Sequence, residues 1–370
     1  MEVFEFGQVI DIEVVKTTPY DGQKPGTSGL RKKTVEVLKP NYAENFVQSI
    51  FNTWNKEELE NSKNCLVVGG DGRYYNDIVT KKIMRMALAH NIDKVVVGEE
   101  GLMSTPATSL LIRKLNENNE NCLGACLLTA SHNPSGPKND WGIKFNTPNG
   151  GPAQEDLTDK IFENTKNISE ILLATDFTHM VDLRLTGSYV FTNVNNKKGR
   201  FEVQVVSSTD QYVDYMKELF DFPKLKAFVN RPDFSVTFDA MCGVAGPYAW
   251  ALLNKELGVS GDCLSNCKPL PNFGNLHPDP NLVYADQLVE KMQILKQDDT
   301  KEVPEFGAAC DGDADRNMIL GKRFFVTPSD SVALLAANAK AWSKKDMTGV
   351  ARSMPTSGAL DQVAKKLGLD

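Results

Sequence analysis

From Cys65 onward, short apolar runs alternate with stretches whose apolar residues recur at helical spacing. Cys65 to Val68 is one such run. It closes on Gly69-Gly70-Asp71-Gly72 and predicts a strand that runs into a turn. Ile78, Ile83, Met86 and Ala87 follow at helical spacing. Lys94 to Val97, rich in valine, predicts a second strand. Ser104-Thr105-Pro106 supplies an N-cap and a proline at the first helical position, opening a helix through Lys114. The polar stretch Asn116 to Asn121 reads as a solvated loop tip, and Gly124 to Thr129 as a third strand. Strands alternating with helices imply a parallel sheet covered on both faces. Ligands of such sheets gather at the carboxyl ends of the strands, where Asp71 and Ser131 fall.

The alternation recurs further along. Ser235 to Asp239 is a predicted strand, followed by a turn at Gly243 to Pro247 and a helix through Glu256. Phe306 to Cys310 is a strand feeding Asp311-Gly312-Asp313-Ala314-Asp315-Arg316. Phe324 to Val326, Pro328 to Trp342, Gly349 to Arg352 and Thr356 to Leu367 then read as strand, helix, strand, helix, the last stopping at Gly368. Two strands make a marginal sheet, so this final unit reads as incomplete. Lys166 to Arg200 is poorly periodic and predicts a covering excursion before a new domain near Val206.

Composition narrows the class. A chain of 370 residues, 41% hydrophobic and 24% charged, is expected to be a soluble globular protein of two or three domains. A net charge of -7 argues against a nucleic-acid partner, which needs a basic face. Anionic substrates must then be met by local clusters of Lys and Arg. Glu2, Glu5 and Asp11 open the chain without a basic region before an apolar stretch, which argues against a secretory signal. No run of about 18 apolar residues occurs to span a membrane, so a cytosolic protein is expected. Seven cysteines, an odd count, fit reduced thiols; Cys122/Cys126 and Cys263/Cys267 are spaced C-x3-C, unlike zinc ribbons.

Three loops could support chemistry. In Thr129-Ala130-Ser131-His132-Asn133-Pro134, a serine leaves a strand end inside a Gly/Pro/Asn-rich loop, its hydroxyl exposed on rigid backbone. A polar turn with Ser131 capping backbone groups is the plainer reading. The G-x-S-x-G elbow of hydrolases does not match. In the second loop, Asp311, Asp313 and Asp315 repel one another unless a cation sits among them. Alternate strand residues lie ~6.6 Å apart, so the loop must curl to share one ion. Oxygen ligands select a hard cation, Mg²⁺ before Ca²⁺. The glycine and glutamate that an EF-hand requires are replaced by Arg316 and Lys322. An aspartyl-phosphate phosphatase would leave Asp315 and the serine loop unexplained, and a solvated acidic turn would not need Arg316. The third loop, Lys24 to Lys33, sets Gly, Thr and Ser among several cations, a phosphate cradle in which Arg31 could fork onto two oxygens, or a solvated basic turn. Of the four histidines, His90 ends a helix, where a cation suits the dipole. His132 alone adjoins a candidate nucleophile and can pass protons near neutral pH.

Together these residues resemble the α-D-phosphohexomutase family, and within it the eukaryotic-type phosphoglucomutases. The resemblance runs through KPGTSGLRK, VVGGDGR, STPA, LTASHNP, GIKFNTPNGGPA, HPDPNL, DGDADRNMILG, PSDSVA and RSMPTSGALD. It implies tandem α/β domains with mixed, mainly parallel sheets around a central cleft: residues 1–205 with the phosphoserine loop, 206–322 with the metal loop, and 323–370 as part of a third domain. By resemblance, Ser131 bears the phosphoryl group, and Asp311, Asp313 and Asp315 bind Mg²⁺ with a phosphate oxygen on Ser131. Arg31, His132, Lys144 and Arg316 contact the transferring phosphate or handle the proton, with Asp315 among the substrate contacts. The implied activity interconverts glucose 1-phosphate and glucose 6-phosphate through glucose 1,6-bisphosphate, in a monomer whose partner is a hexose phosphate. The alternative is a truncated, poorly active phosphoprotein of the parafusin type with a regulatory or binding role. Ala314 replaces a glycine common in the family, and a negative φ or mild strain is expected there. The family's Gly-Glu-Glu-Ser loop and phosphate-gripping domain do not occur before Asp370, so slow turnover is expected of a protein ending there.

Overall fold

The computed structural model describes residues 2–26, 28–296, 298, 300–344 and 346–370. Its first sheet is built on the predicted alternation. β4 (Cys65–Gly70), the helix Asn76–Ala89, β5 (Lys94–Leu102), the helix Thr105–Glu117 and β6 (Cys122–Leu128) follow one another, and β4 pairs in parallel with both β5 and β6. Every residue of β4 is buried, because helices cover both faces. Leu66 and Val68 face a core shared with Val79, Ile83 and Met86, whereas Cys65 and Val67 face Ala107, Leu111 and, from the second unit, Val244 and Tyr248. The second unit therefore packs on the helix Thr105–Glu117 side.

Five further strands complete this sheet: β1 (Glu2–Phe6), β3 (Leu30–Lys33), β7 (Asp140–Asn146), β9 (Gly187–Phe191) and β10 (Phe201–Val206). A separate two-stranded pair joins β2 (Ile12–Lys16) to β8 (Glu170–Ala174). The large sheet runs β1–β9–β10–β5–β4–β6–β7–β3, and β6–β7, β7–β3 and β9–β10 are antiparallel. The stretch 166–200 thus corrects the expectation of a covering excursion: it supplies β8 and the wholly buried β9. A strand buried on both faces shows no polar alternation, and its partner β1 lies at the other end of the unit. The helix at Thr105 continues to Glu117, so Asn116 and Glu117 belong to it rather than to a loop tip.

The second sheet holds β11 (Val236–Asp239), β12 (Leu264–Ser265), β13 (Phe306–Cys310), β14 (Asn317–Gly321) and β15 (Phe324–Val326), ordered β12–β11–β13–β14–β15. β15 pairs antiparallel with β14, so the strand expected to open the third unit closes the second sheet, and a boundary at 322/323 would cut a hairpin. Gly349–Arg352 forms no strand, another departure from expectation; its Val350 N–H donates instead to the Asp370 carbonyl at 2.8 Å. What remains is helical: Ser331–Ala337, a break at Asn338, Ala339–Trp342, and Ala359–Leu367 closed by Gly368 at φ 67°. Among the described residues no helix is long and apolar enough to cross a membrane. All seven cysteines are free, and Cys122 and Cys126 face opposite cores.

Candidate active site

The serine loop leaves β6 and is anchored from beneath by a buried ion pair. The Arg73 guanidinium donates to both carboxylate oxygens of Asp71 at 2.8–3.1 Å, and both side chains are fully buried. The same guanidinium donates to the carbonyls of Ser131 (3.0 Å) and Asp140 (2.9 Å). Thr129 Oγ1 donates to Asp71 at 2.6 Å and accepts from the Ser131 amide at 2.8 Å. Asp71, Arg73 and Thr129 together hold Ser131 at φ 55°, a backbone state that a non-glycine residue keeps only under constraint.

The acidic loop leaves β13 and curls as its three carboxylates require. One ligand atom from each of Asp311, Asp313 and Asp315 lies within 4.8 Å of the others. Gly312 lets the two loops touch, since a Cβ there would stand 2.6 Å from the Ser131 carbonyl oxygen. Ser131 Oγ donates to Asp311 Oδ2 at 2.8 Å across 180 residues of sequence. Arg316 donates to Asp311, to Ser131 Oγ and to His132 Nδ1. Lys144 Nζ, from β7, lies 2.8 Å from Asp313 and 3.6 Å from Asp315. Arg31 enters from β3 opposite Gly142, and its Nε is buried without a hydrogen-bond partner. The Ser131, His132, Arg31, Lys144, Asp311, Asp313, Asp315 and Arg316 side chains thus share one locality.

The rest of the basic loop goes elsewhere. Lys24 lies over the Phe162 ring and Lys33 pairs with Asp140, so neither joins Arg31 at the acidic trio; Thr27 lies outside the described residues. Gly29, at φ 82°, lets this loop lie against the Lys144 strand, where a Cβ would sit 2.4 Å from the Ile143 carbonyl oxygen.

Crowded charge shapes the site. Burial, with the charges of Asp313 and Asp315, pushes Asp311 up to about 7. Burial also opposes ionisation of Asp313, but Lys144 and the Thr105 hydroxyl outweigh it and bring the group down to about 2. Burial lowers Arg31, reinforced by Arg316 and Arg73 against the pull of Asp313. Burial and then Arg316 lower His132. The expected strain at Ala314 is real: its φ is 59°, not negative. His90 also departs from expectation. Burial drives it down to about 4, and the ring bonds to the Met86 carbonyl and Gln48 as a neutral group rather than as a dipole-stabilised cation.

Sequence reasoning missed three contributors. Arg73 had a signal in Gly-Asp-Gly-Arg, a charged pair closing an apolar strand. Thr105, read only as a helix start, donates to Asp313 Oδ2 at 2.9 Å. His277 lies parallel to His132 with ring centroids 6.4 Å apart, and Tyr284 packs on it at 3.9 Å; their separation in sequence hid this. The acidic trio fits a divalent cation. Its donors are oxygens only, and Asp313 Oδ1 is buried with no partner, a costly state that a hard cation would relieve.

A serine at one strand end, facing an acidic trio at another and ringed by Arg and Lys, defines a phosphohexomutase-type α/β protein. Residues 22–172 match the family described as phosphoglucomutase/phosphomannomutase, alpha/beta/alpha domain I, and residues 210–323 match its domain II. The chain belongs to the phosphoglucomutase/phosphomannomutase family. Phosphoglucomutase-1 of Paramecium tetraurelia is 55% identical over 98% of this chain and 64% of its own length. A probable cytoplasmic phosphoglucomutase 2 of Arabidopsis thaliana is 52% identical over 97% and 61%. The chain therefore spans less than two thirds of these curated relatives. The crystal structure of the Paramecium exocytosis-sensitive phosphoprotein pp63/parafusin (phosphoglucomutase), in its open form, superposes with a TM-score of 0.95 at 55% identity, covering 98% of this chain and 64% of that one. A phosphomannomutase-like structure from Thermus thermophilus, 21% identical with a TM-score of 0.68 over 96% and 68%, shares the fold.

Proposed function

We propose that this chain supplies the phosphoryl-transfer site of a phosphoglucomutase that interconverts glucose 1-phosphate and glucose 6-phosphate. Ser131 accepts a phosphoryl group from glucose 1,6-bisphosphate and returns it to the free hydroxyl of a hexose monophosphate. The single observation behind this reading is the 2.8 Å bond from Ser131 Oγ to Asp311, with Arg316 on the same hydroxyl. Asp311, Asp313 and Asp315 are the residues to hold Mg²⁺, joined by an oxygen on phosphorylated Ser131. Bound there, the ion supplies charge neutralisation and polarisation of the phosphoryl group. Arg31, Lys144 and Arg316 balance and orient the phosphate oxygens, the main work of such transfers. Burial and Arg316 lower the basicity of His132, which favours the neutral imidazole, and the hydroxyl proton can go to Nδ1, the nitrogen that faces Arg316; Lys144 is the other candidate. Residues 1–205 and 206–326 are proposed as the first two units, the second carried past 322 to keep the β14–β15 hairpin whole, and 327–370 as part of a third. Similarity to relatives named cytoplasmic supports the cytosol as the location, and a monomer is the proposed state.

The test uses glucose 1,6-bisphosphate labelled with ³²P and Mg²⁺. The reading expects one label per chain, on Ser131, that chases into glucose 1-phosphate, and none on Ser131→Ala. Label elsewhere, or none, overturns it. Label that Ser131 takes but does not release to sugar would favour a regulatory phosphoprotein, the role that similarity to parafusin suggests.

A further inference from the structure

Asp313 sits on the loop of the second sheet, yet the hydrogen bonds to its carboxylate come from the first unit. Thr105 Oγ1 donates to Oδ2 at 2.9 Å and Lys144 Nζ to the same oxygen at 2.8 Å, while Thr105 N–H donates to the Asp313 carbonyl at 3.0 Å. Oδ1 is buried with no partner. Two donors on one oxygen leave the other turned free, as a ligand atom must be.

Thr105 is suited to this because of its place in the fold. It is the first residue of the helix Thr105–Glu117, where amide groups have no partner within the helix. Ser104 caps that helix by accepting from Ala107 N–H, and its own N–H meets the Tyr248 hydroxyl of the second unit at 3.2 Å. The helix start is thus pinned to the second unit at both residues. A β-branched side chain is stiff at χ1, so its hydroxyl is a directed donor. Lys144 on its flexible stem provides charge without comparable direction.

We propose that Thr105 is a positioning residue of the cation site, selecting which Asp313 oxygen faces the ion and clamping the acidic loop of one unit to the helix start of the other. The inference rests on the reading of Asp311, Asp313 and Asp315 as a divalent site. Its test measures Mn²⁺ affinity of the full chain by the electron paramagnetic resonance of free Mn²⁺, beside the melting temperature of the ion-free protein. Thr105→Val and Thr105→Ala are expected to weaken Mn²⁺ binding about tenfold, the scale of supporting hydrogen bonds in metal sites, while Thr105→Ser restores it. A purely structural threonine would instead lower the ion-free melting temperature and leave the affinity alone. If wild type takes up no Mn²⁺, the divalent-site reading itself falls. If wild type binds and both hydroxyl-free variants bind as tightly, the Thr105 assignment alone is overturned. Should Thr105→Val fail to fold, Thr105→Ala decides.

Discussion

Arg73→Met is the perturbation that best tests how the serine loop is held. The substitution keeps an apolar stem of similar reach and removes the guanidinium. Asp71, with no exposed surface, would keep bonds from Thr129 Oγ1 at 2.6 Å and the residue 73 amide at 3.1 Å, but lose its countercharge. The carbonyls of Ser131 and Asp140 would lose their side-chain donor as well. Breaking one half of a buried ion pair costs about 3–5 kcal/mol. At about 2–4 °C per kcal/mol for a domain of this size, the melting temperature should fall by roughly 6–20 °C. Urea denaturation followed by tryptophan fluorescence gives the free energy. The double variant Asp71→Asn/Arg73→Met should lose less than the two single losses combined, because no unpaired charge is left buried. Phosphorylation of Ser131 by the bisphosphate should slow in Arg73→Met even well below its melting temperature. A loss under about 1 kcal/mol, or strictly additive singles, would refute the claim that this pair anchors the loop.

Two further outcomes follow from backbone strain and burial. Ala314 at φ 59° stores about 1 kcal/mol, which Ala314→Gly would release; added freedom in the unfolded chain offsets about 0.4–1 kcal/mol, so denaturation should show a net gain of no more than about 0.6 kcal/mol. A loss above about 1 kcal/mol would instead show that the methyl packing near Val244 and Tyr248 matters more than strain. His90 is held neutral by burial, at about 4 against an ordinary 6.5, so the unfolded chain takes up its proton first as pH falls. Its contribution is present above pH 6.5 and lost on the way down to about pH 4, roughly 2 kcal/mol of it between pH 7 and 5. His90→Gln should flatten that part of the pH–stability curve; an unchanged slope would sink the assignment.

What the sequence determined by itself was local. The apolar runs closed by turn residues place β4, β6 and β13, and the residue types of the loops that follow mark Ser131 and the acidic trio as chemistry-bearing, because strand period, turn residues and charge repulsion act over a few positions. Tertiary structure decided the rest. β9 finds its parallel partner in β1 at the far end of the unit, and β15 turns back on β14. Arg73 becomes an anchor only where Ser131 and Asp140 present their carbonyls, and Thr105 reaches Asp313 across 208 residues. His90 loses its charge to a core that no neighbouring residue announces. Burial and long-range pairing depend on which segments meet, and a linear pattern specifies the faces that seek partners without saying which partner each one meets.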